Sequence, residues 1–252
     1  MADVQSTSRL DMLRENIREP LRAMLADLHA GLGDNLRSVT VVGSALTGDY
    51  KHGDSDINTV ALLDSLSTEV LNTLSSLTRS FRRDRLSVPL LMTPSYIERS
   101  RDVFGIELLD FQLIHQTILG EDPLAPLTFE KANVRLQCER ELKAMLVRLR
   151  QGYIAAGGKW RAVHEVLVAT AKGLTPLVRA MLWLQDTERP ATMSPALRKA
   201  SEEFEVNLEA AVAAQQWRFK KPRLTPVDIQ NNFAAVFGAV ESLATTIDEL
   251  KL

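Results

Sequence analysis

A glycine-serine pair and a short acidic run stand close together in the sequence and have the side chains to hold a phosphate and a metal ion. Gly43 and Ser44 follow the β-branched run 38–42, so a strand is predicted to end in a turn that lets backbone N–H groups approach an anion. Asp56 follows Ser44 after eleven residues, and Asn58 stands two further on. Positions i and i+2 of a strand project from one face, so Asp56 and Asn58 are predicted to point together toward whatever Ser44 holds.

The elements that must position these residues are a helix and at least three strands. Apolar residues at helical spacing predict an N-terminal helix that ends near Gly31 and Gly33, with Pro20 starting a second segment or kinking the first. Runs 38–42 and 59–63 predict two strands. The face of the helix consists of Leu10, Leu13, Ile17, Leu21, Met24, Leu25 and Leu28.

Two later segments extend the predicted sheet. Residues 86–92 predict a third strand, and Pro89 within it indicates an edge or a bulge because proline cannot donate to a ladder. Residues 104–119 predict one bent strand or two strands that end at Gly120. Glu107 and Asp110 lie in that stretch three residues apart, so on a strand they would face opposite sides and only one could join Asp56.

The Gly-Ser turn, its distance from Asp56 and the apolar strand after it resemble the signature of the DNA polymerase β superfamily of nucleotidyltransferases. In that superfamily a Gly-Ser turn is followed by an acid, an apolar residue and a second acid on the next strand. Ile57 matches the apolar position, and Asn58 stands where the second acid is expected. A carboxamide oxygen can coordinate Mg²⁺ but brings no charge. Asp54 with Asp56 is an alternative pair, less favoured because polar Ser55 stands between them.

The resemblance implies a site and a cofactor. Gly43 and Ser44 would hold the β- and γ-phosphates of a nucleoside triphosphate, ATP in the first instance, with two Mg²⁺ ions. Asp56 and Asn58 would ligate the metal ions. The third acid of the superfamily lies on a later strand, and Glu107 is preferred for it because Ile106-Glu107-Leu108 resembles the pattern of apolar, acid, apolar.

The resemblance also implies the reaction. Asp56 and Glu107 would be catalytic. Glu107 would bind the second metal ion and would orient or deprotonate the hydroxyl of an acceptor, expected to be a small molecule. That hydroxyl would attack the α-phosphorus, and pyrophosphate would leave. Asn58 opens an alternative: a nucleotide-binding or regulatory module that kept the fold and lost turnover, because the metal that activates an acceptor depends on protein carboxylates.

The second half of the chain differs in kind from the first. Pro123 and Pro126 mark a boundary, after which the pattern is helical. We therefore predict an α/β nucleotidyltransferase-like domain with a mixed sheet over residues 1–127 and a helical bundle over 128–252. That order resembles the antibiotic and small-molecule nucleotidyltransferases. Thr225-Pro226-Val227-Asp228 predicts a capped start for the last helix.

Composition limits the other function classes. The 252 residues carry a formal net charge of −2, which argues against nucleic acid as a partner. A single cysteine, Cys138, permits no internal disulfide and no thiolate metal cluster. No apolar run is judged long enough to span a bilayer, and the N-terminal residues lack a signal pattern, so a cytoplasmic protein with no membrane partner is expected.

Overall fold

The computed structural model describes residues 9–83, 85–217 and 224–251, which form two compact units. The first unit takes residues up to 101 together with 111–128, and the second takes 102–110 together with the rest of the chain from 129. The first unit is built on a mixed sheet and the second is helical. The predicted fold class, an α/β domain followed by a helical bundle, is therefore confirmed.

Within the described residues, the first unit contains one four-stranded sheet, with the strand order β3-β2-β1-β4. Strand β1 pairs with β2 and with β4 in the antiparallel sense, whereas β2 and β3 are parallel. The strands are β1 (Leu36–Val42), β2 (Asn58–Leu63), β3 (Leu90–Met92) and β4 (His115–Leu119). Strand β3 begins immediately after Pro89 and lies at an edge of the sheet, as that proline predicted.

Helices α1 (Glu15–Leu32) and α2 (Thr68–Arg83) belong to the core on one face of this sheet. All seven apolar residues predicted for the face of the N-terminal helix are buried in that core, but Leu10 and Leu13 precede α1, and Leu10 belongs to a separate short 3-10 helix (Leu10–Met12). Pro20 lies inside α1, which begins at Glu15. Thr59 of β2 donates from Oγ1 to the sulfur of Met24 over 3.8 Å, so the odd-numbered residues of β2 face α1. The even-numbered residues of that strand therefore face away from it.

The prediction of strands over 104–119 is wrong for its first part. After α3 (Pro94–Ser100) the chain forms helix α4 (Gly105–Leu113), and only then β4. The N–H groups of Gly105 and Ile106 donate to Oε1 of Gln137 over 2.9 and 3.3 Å. A helix start needs partners for its first N–H groups, and here a carboxamide more than 30 residues away supplies one.

Besides the start of α4, the described part of the second unit contains the helices α5 (Lys131–Ala156), α6 (Trp160–Leu184), α7 (Met193–Glu203), α8 (Glu209–Gln216) and α9 (Pro226–Glu249). The predicted cap of the last helix is confirmed: Thr225 and Asp228 form a reciprocal capping box. Within the described residues, α6 is long and apolar enough to cross a membrane, contrary to the prediction from sequence. Its apolar window is 61% buried, so packing in the helical core accounts for its composition.

Candidate functional site

The turn after β1 depends on the backbone of Gly43. Its φ of +76° lies in the left-handed region that side chains disfavour, and its N–H donates to the carbonyl of Ile114 over 2.9 Å. A Cβ on Gly43 would meet nothing within 4 Å. The glycine is therefore required by backbone conformation and not by crowding. Residues Gly43–Leu46 then form one 3-10 turn with Ala45 buried.

Thr47 closes this turn on Ser44. The N–H and the hydroxyl of Thr47 both donate to the carbonyl of Ser44, over 3.0 and 3.3 Å. The same hydroxyl oxygen accepts the N–H of Asp49 over 3.2 Å. The hydroxyl of Ser44 itself is half-buried and has no hydrogen-bond partner in the described part of the chain. It is therefore available to a bound ligand.

The loop before β2 closes in a second turn, around Ser55. The N–H groups of Asp54 and Ser55 donate to the carbonyl of Lys51 over 3.1 and 2.8 Å, and the buried Ser55 hydroxyl accepts the N–H of Lys51. Asp54 thus lies in a closed turn, whereas Asp56 leads directly into β2. The alternative pair Asp54 and Asp56 is not carried on one stretch of strand.

Asp56 and Asn58 show the alternation that the sequence predicted. Ile57 between them is buried at 1% exposure, while both polar side chains are exposed. Asn58 is the antiparallel partner of Val42, so the turn after β1 and the residues that open β2 lie at the same end of the sheet. Neither polar side chain has a hydrogen bond or ion pair with any described residue.

The charge of Asp56 acts electrostatically on the hydroxyl of Tyr50. Burial raises the pKa of Tyr50, and the negative charge of Asp56 raises it further. Among the described residues no cation neutralises this carboxylate. An unpaired negative charge with an uncharged oxygen donor beside it on the strand is suited to a hard cation.

Asp110 is occupied by an arginine of its own unit. Its Oδ1 accepts Nη1 of the buried Arg179 over 2.8 Å. The other nitrogens of Arg179 donate to the carbonyls of Pro190 and Ala191 over 3.0 and 2.6 Å. Burial lowers the pKa of the neighbouring Arg189, an effect that Asp110 opposes and Arg179 strengthens. The negative charge of Asp110 is therefore paired with the positive charge of Arg179 within the helical unit.

Glu107 lies in the first turn of helix α4 and is exposed. The argument from strand alternation is wrong here, because residues three apart share one face of a helix. Although the residue is exposed, partial burial of its carboxyl raises the pKa of Glu107. The charges of Glu141 and Asp110 add to the rise, and its own backbone N–H and Arg140 oppose it. Its role as a third catalytic acid stays a prediction.

The metal-ligating capacity of the described residues is modest. They contain no group of three or more His, Cys, Asp or Glu side chains placed to hold a metal ion. Asp56, Asn58 and Ser44 supply three hard oxygen donors at one end of the sheet, and only one of them is charged. Mg²⁺ keeps several ligands from water or phosphate, so this set fits an ion that arrives bound to a nucleotide.

Three residues of this region were missed at the level of sequence: Thr47, Tyr50 and Ser55. The hydroxyls of Thr47 and Ser55 form hydrogen bonds with the loop backbone. Short hydroxyl side chains commonly do so in turns, and their position between the two motifs could have suggested it. Tyr50 is buried in the core of the first unit, and nothing in the local sequence distinguishes it.

Comparisons with known proteins bear on the fold. No protein-family model and no curated protein matches the chain. A solved structure of spectinomycin adenyltransferase AAD(9) from Enterococcus faecialis with ATP and spectinomycin matches at a TM-score of 0.57 and 11% identity. The match covers 88% of this chain and 98% of the other. The two chains share a fold. The chain thus has the fold of that adenyltransferase, and identity this low supports no more.

Proposed function

We propose that this protein is a nucleotidyltransferase that binds a nucleoside triphosphate with Mg²⁺ and transfers the nucleoside monophosphate to a hydroxyl of a small molecule. One observation carries the proposal: the Ser44 hydroxyl, the Asp56 carboxylate and the Asn58 carboxamide have no polar partner among the described residues and lie at one end of the sheet. The shared fold with an adenyltransferase whose structure holds ATP and spectinomycin supports ATP and a small-molecule acceptor.

Each residue has a proposed role. The turn at Gly43 and Ser44 binds the β- and γ-phosphates through backbone N–H groups and the serine hydroxyl. Asp56 and Asn58 would hold the Mg²⁺ that accompanies the nucleotide. When bound, the ion offsets negative charge on the phosphates during transfer. Thr47 and Ser55 keep the two turns closed.

The chemical step is a single displacement. The acceptor oxygen forms a bond to the α-phosphorus, the bond from that phosphorus to pyrophosphate breaks, and the hydroxyl proton passes to a base. Glu107 is the proposed base, since a raised pKa makes a carboxylate a better proton acceptor at neutral pH.

A second candidate function is a nucleotide-binding module without turnover. Two features favour it: Asn58 stands where the resemblance leads one to expect an acid, and the described residues assemble no group of three acidic ligands. A triphosphate brings its own Mg²⁺, so binding needs less protein charge than catalysis does.

Calorimetric titration with several nucleoside triphosphates and Mg²⁺ tests the binding shared by both candidates. We expect binding that Asp56→Asn weakens about tenfold or more, because it removes the only charge among the proposed ligands Ser44, Asp56 and Asn58. Asp54→Asn is the matched control: it removes an exposed acid two residues away and should leave affinity unchanged. A folded protein that binds none of the nucleotides would exclude both functions.

Release of pyrophosphate with a panel of hydroxyl acceptors separates the candidates. A transferase shows turnover that Asp56→Ala abolishes. A module that has lost turnover shows none, and Asn58→Asp should then tighten Mg²⁺ binding by restoring a charge. If Asn58→Asp leaves both metal binding and turnover unchanged, Asn58 is not a ligand.

A further inference from the structure

A small pocket lies in the helical unit, between the turn that joins α5 to α6 and the first turn of α9. Buried Val163 and Ile229 line it together with the partly exposed rings of Tyr153 and Trp160. Gln230 also lines it and is exposed, and its carboxamide has no hydrogen bond to the described residues. The volume is about 160 Å³. Ligand sites for whole cofactors occupy roughly 300–1,000 Å³, so this pocket has room for a single ring system.

The aromatic wall of this pocket is held in place by packing. The ring of Tyr153 stacks on Phe233 with centroids 4.3 Å apart, and Phe233 stacks in turn on Phe237 at 6.1 Å. The guanidinium of Arg150 lies over Phe237 at 5.4 Å. A wall fixed in this way loses little conformational entropy when a ligand binds.

Unpaired positive charge lies beside the pocket. Residues 148–164 include four arginines and lysines and no aspartate or glutamate, and of the four only Arg148 and Arg150 pair with described acids, Glu141 and Glu241, over 3.7 and 4.0 Å. Lys159 and Arg161 have no acidic partner in the described part of the chain, and the guanidinium of Arg161 lies over the ring of Trp160 at 5.0 Å. Glu165 follows Arg161 by four residues and is exposed on α6. Asp228 lies between the pocket residues Pro226 and Ile229, and its carboxylate is bonded to Thr225 in the capping box.

Exposed aliphatic side chains stand next to the pocket residues in the chain. Ile154 follows Tyr153 and is 77% exposed, and Val227 follows Pro226 and is 63% exposed. Each of these side chains therefore adds exposed apolar surface one residue along the chain from a pocket residue. Tryptophan, tyrosine and arginine are the residue types most enriched among energetically dominant interface positions.

We propose that the surface formed by Tyr153, Ile154, Lys159, Trp160 and Arg161 docks an acidic protein segment that inserts one aromatic side chain into the pocket. The volume of the pocket suits one aromatic side chain, and the unpaired cations select aspartate and glutamate on either side of it. The aliphatic residues give a protein segment further contact, whereas phosphates of a nucleic acid would gain nothing from them. This inference is independent of the proposed nucleotide site.

Selection from a library of random short peptides, followed by fluorescence anisotropy with the enriched peptides, tests the proposal. We expect enriched peptides to contain an aromatic residue flanked by aspartate or glutamate. Trp160→Ala and Ile154→Asp should each weaken their binding about tenfold or more. The double variant Lys159→Glu/Arg161→Glu should weaken it similarly and remove its dependence on salt concentration.

Leu136→Asp is the matched control. Leu136 is 60% exposed on the same helix α5, 18 residues before Ile154, which places it about 27 Å away along the helix axis. It should leave peptide binding unchanged, and Ile154→Asp should not unfold the protein because the side chain is already in water. Enriched peptides without the acidic and aromatic pattern, or affinities that the double variant does not alter, would overturn the proposal. Tighter binding to a single-stranded oligonucleotide or to phosphatidylserine vesicles than to the peptides would also overturn it.

Discussion

Asp56 and Asp110 are both aspartates close in sequence to proposed functional residues, but only Asp110 is paired with a cation among the described residues. Asp110 accepts a hydrogen bond from buried Arg179, which also donates to two backbone carbonyls. Asp56 is exposed at the start of β2 and has no cationic partner among the described residues. A carboxylate paired inside a unit contributes to structure, whereas an unpaired one at a strand end is free for a ligand. The comparison separates a structural acid from a candidate catalytic one.

The largest expected effect is on stability and tests the structural role of the Asp110–Arg179 pair. Arg179→Ala should lower the free energy of unfolding by about 3–5 kcal/mol, because it leaves Asp110 and two carbonyls without their partner. Asp56→Ala should change it by no more than about 0.5 kcal/mol. Chemical denaturation of both variants is the measurement, and equal losses would remove the distinction between the two acids.

A glycine substitution tests whether the turn at Gly43 belongs to the proposed nucleotide site. Gly43→Ala should cost about 1–2 kcal/mol of stability, since φ is +76° and no atom crowds the new Cβ. Gly53→Ala is the control, because its φ of +85° and open surroundings predict the same cost. Only Gly43→Ala should also weaken nucleotide binding in calorimetry. Parallel loss of binding in both variants would mean that the turn at Gly43 is not the phosphate site.

Asp122 extends the comparison to a paired acid of the first unit. Burial raises the pKa of Asp122, but the N–H groups of Leu124 and Ala125 and the ring of His115 outweigh burial and lower it. A lowered pKa stabilises the fold above the unfolded value of about 3.9, and the contribution is lost as pH falls through the folded pKa. Asp122→Asn should therefore cost about 1 kcal/mol at neutral pH in urea unfolding, and the cost should shrink in acid. A difference that is constant with pH would contradict this.

The smallest expected effect concerns Glu107. Its pKa is raised, so the folded state disfavours the ionised carboxylate at neutral pH. Glu107→Gln should then leave stability equal or raise it by less than about 1 kcal/mol, because the side chain is exposed and screened by water. The gain should vanish below about pH 4.3, where the unfolded carboxyl is protonated. If Glu107 is also the base, the same variant loses turnover while its stability holds, a combination that a structural role would not produce.

Particular residues show how far the sequence could be interpreted. The buried stripe of α1, the exposed pair around Ile57, the edge strand after Pro89 and the capping box at Thr225 all follow from local rules of spacing and capping, and all are confirmed. Helix α4 could not be predicted in the same way. Its apolar residues suit a strand as well as a helix, and the carboxamide that favours the helix comes from Gln137.

Local sequence thus determined the turn at Gly43, the alternation of Asp56 and Asn58, and the change from sheet to helices, because each depends on residues only a few positions apart. Tertiary structure alone decided which acids remain free. Whether a carboxylate meets a cation depends on side chains brought together from distant positions, as with Asp110 and Arg179, which are 69 residues apart. The spacing of the two residues in the sequence does not predict that contact. The pairing of Asp110 and the unpaired charge of Asp56 therefore became visible only in the folded protein.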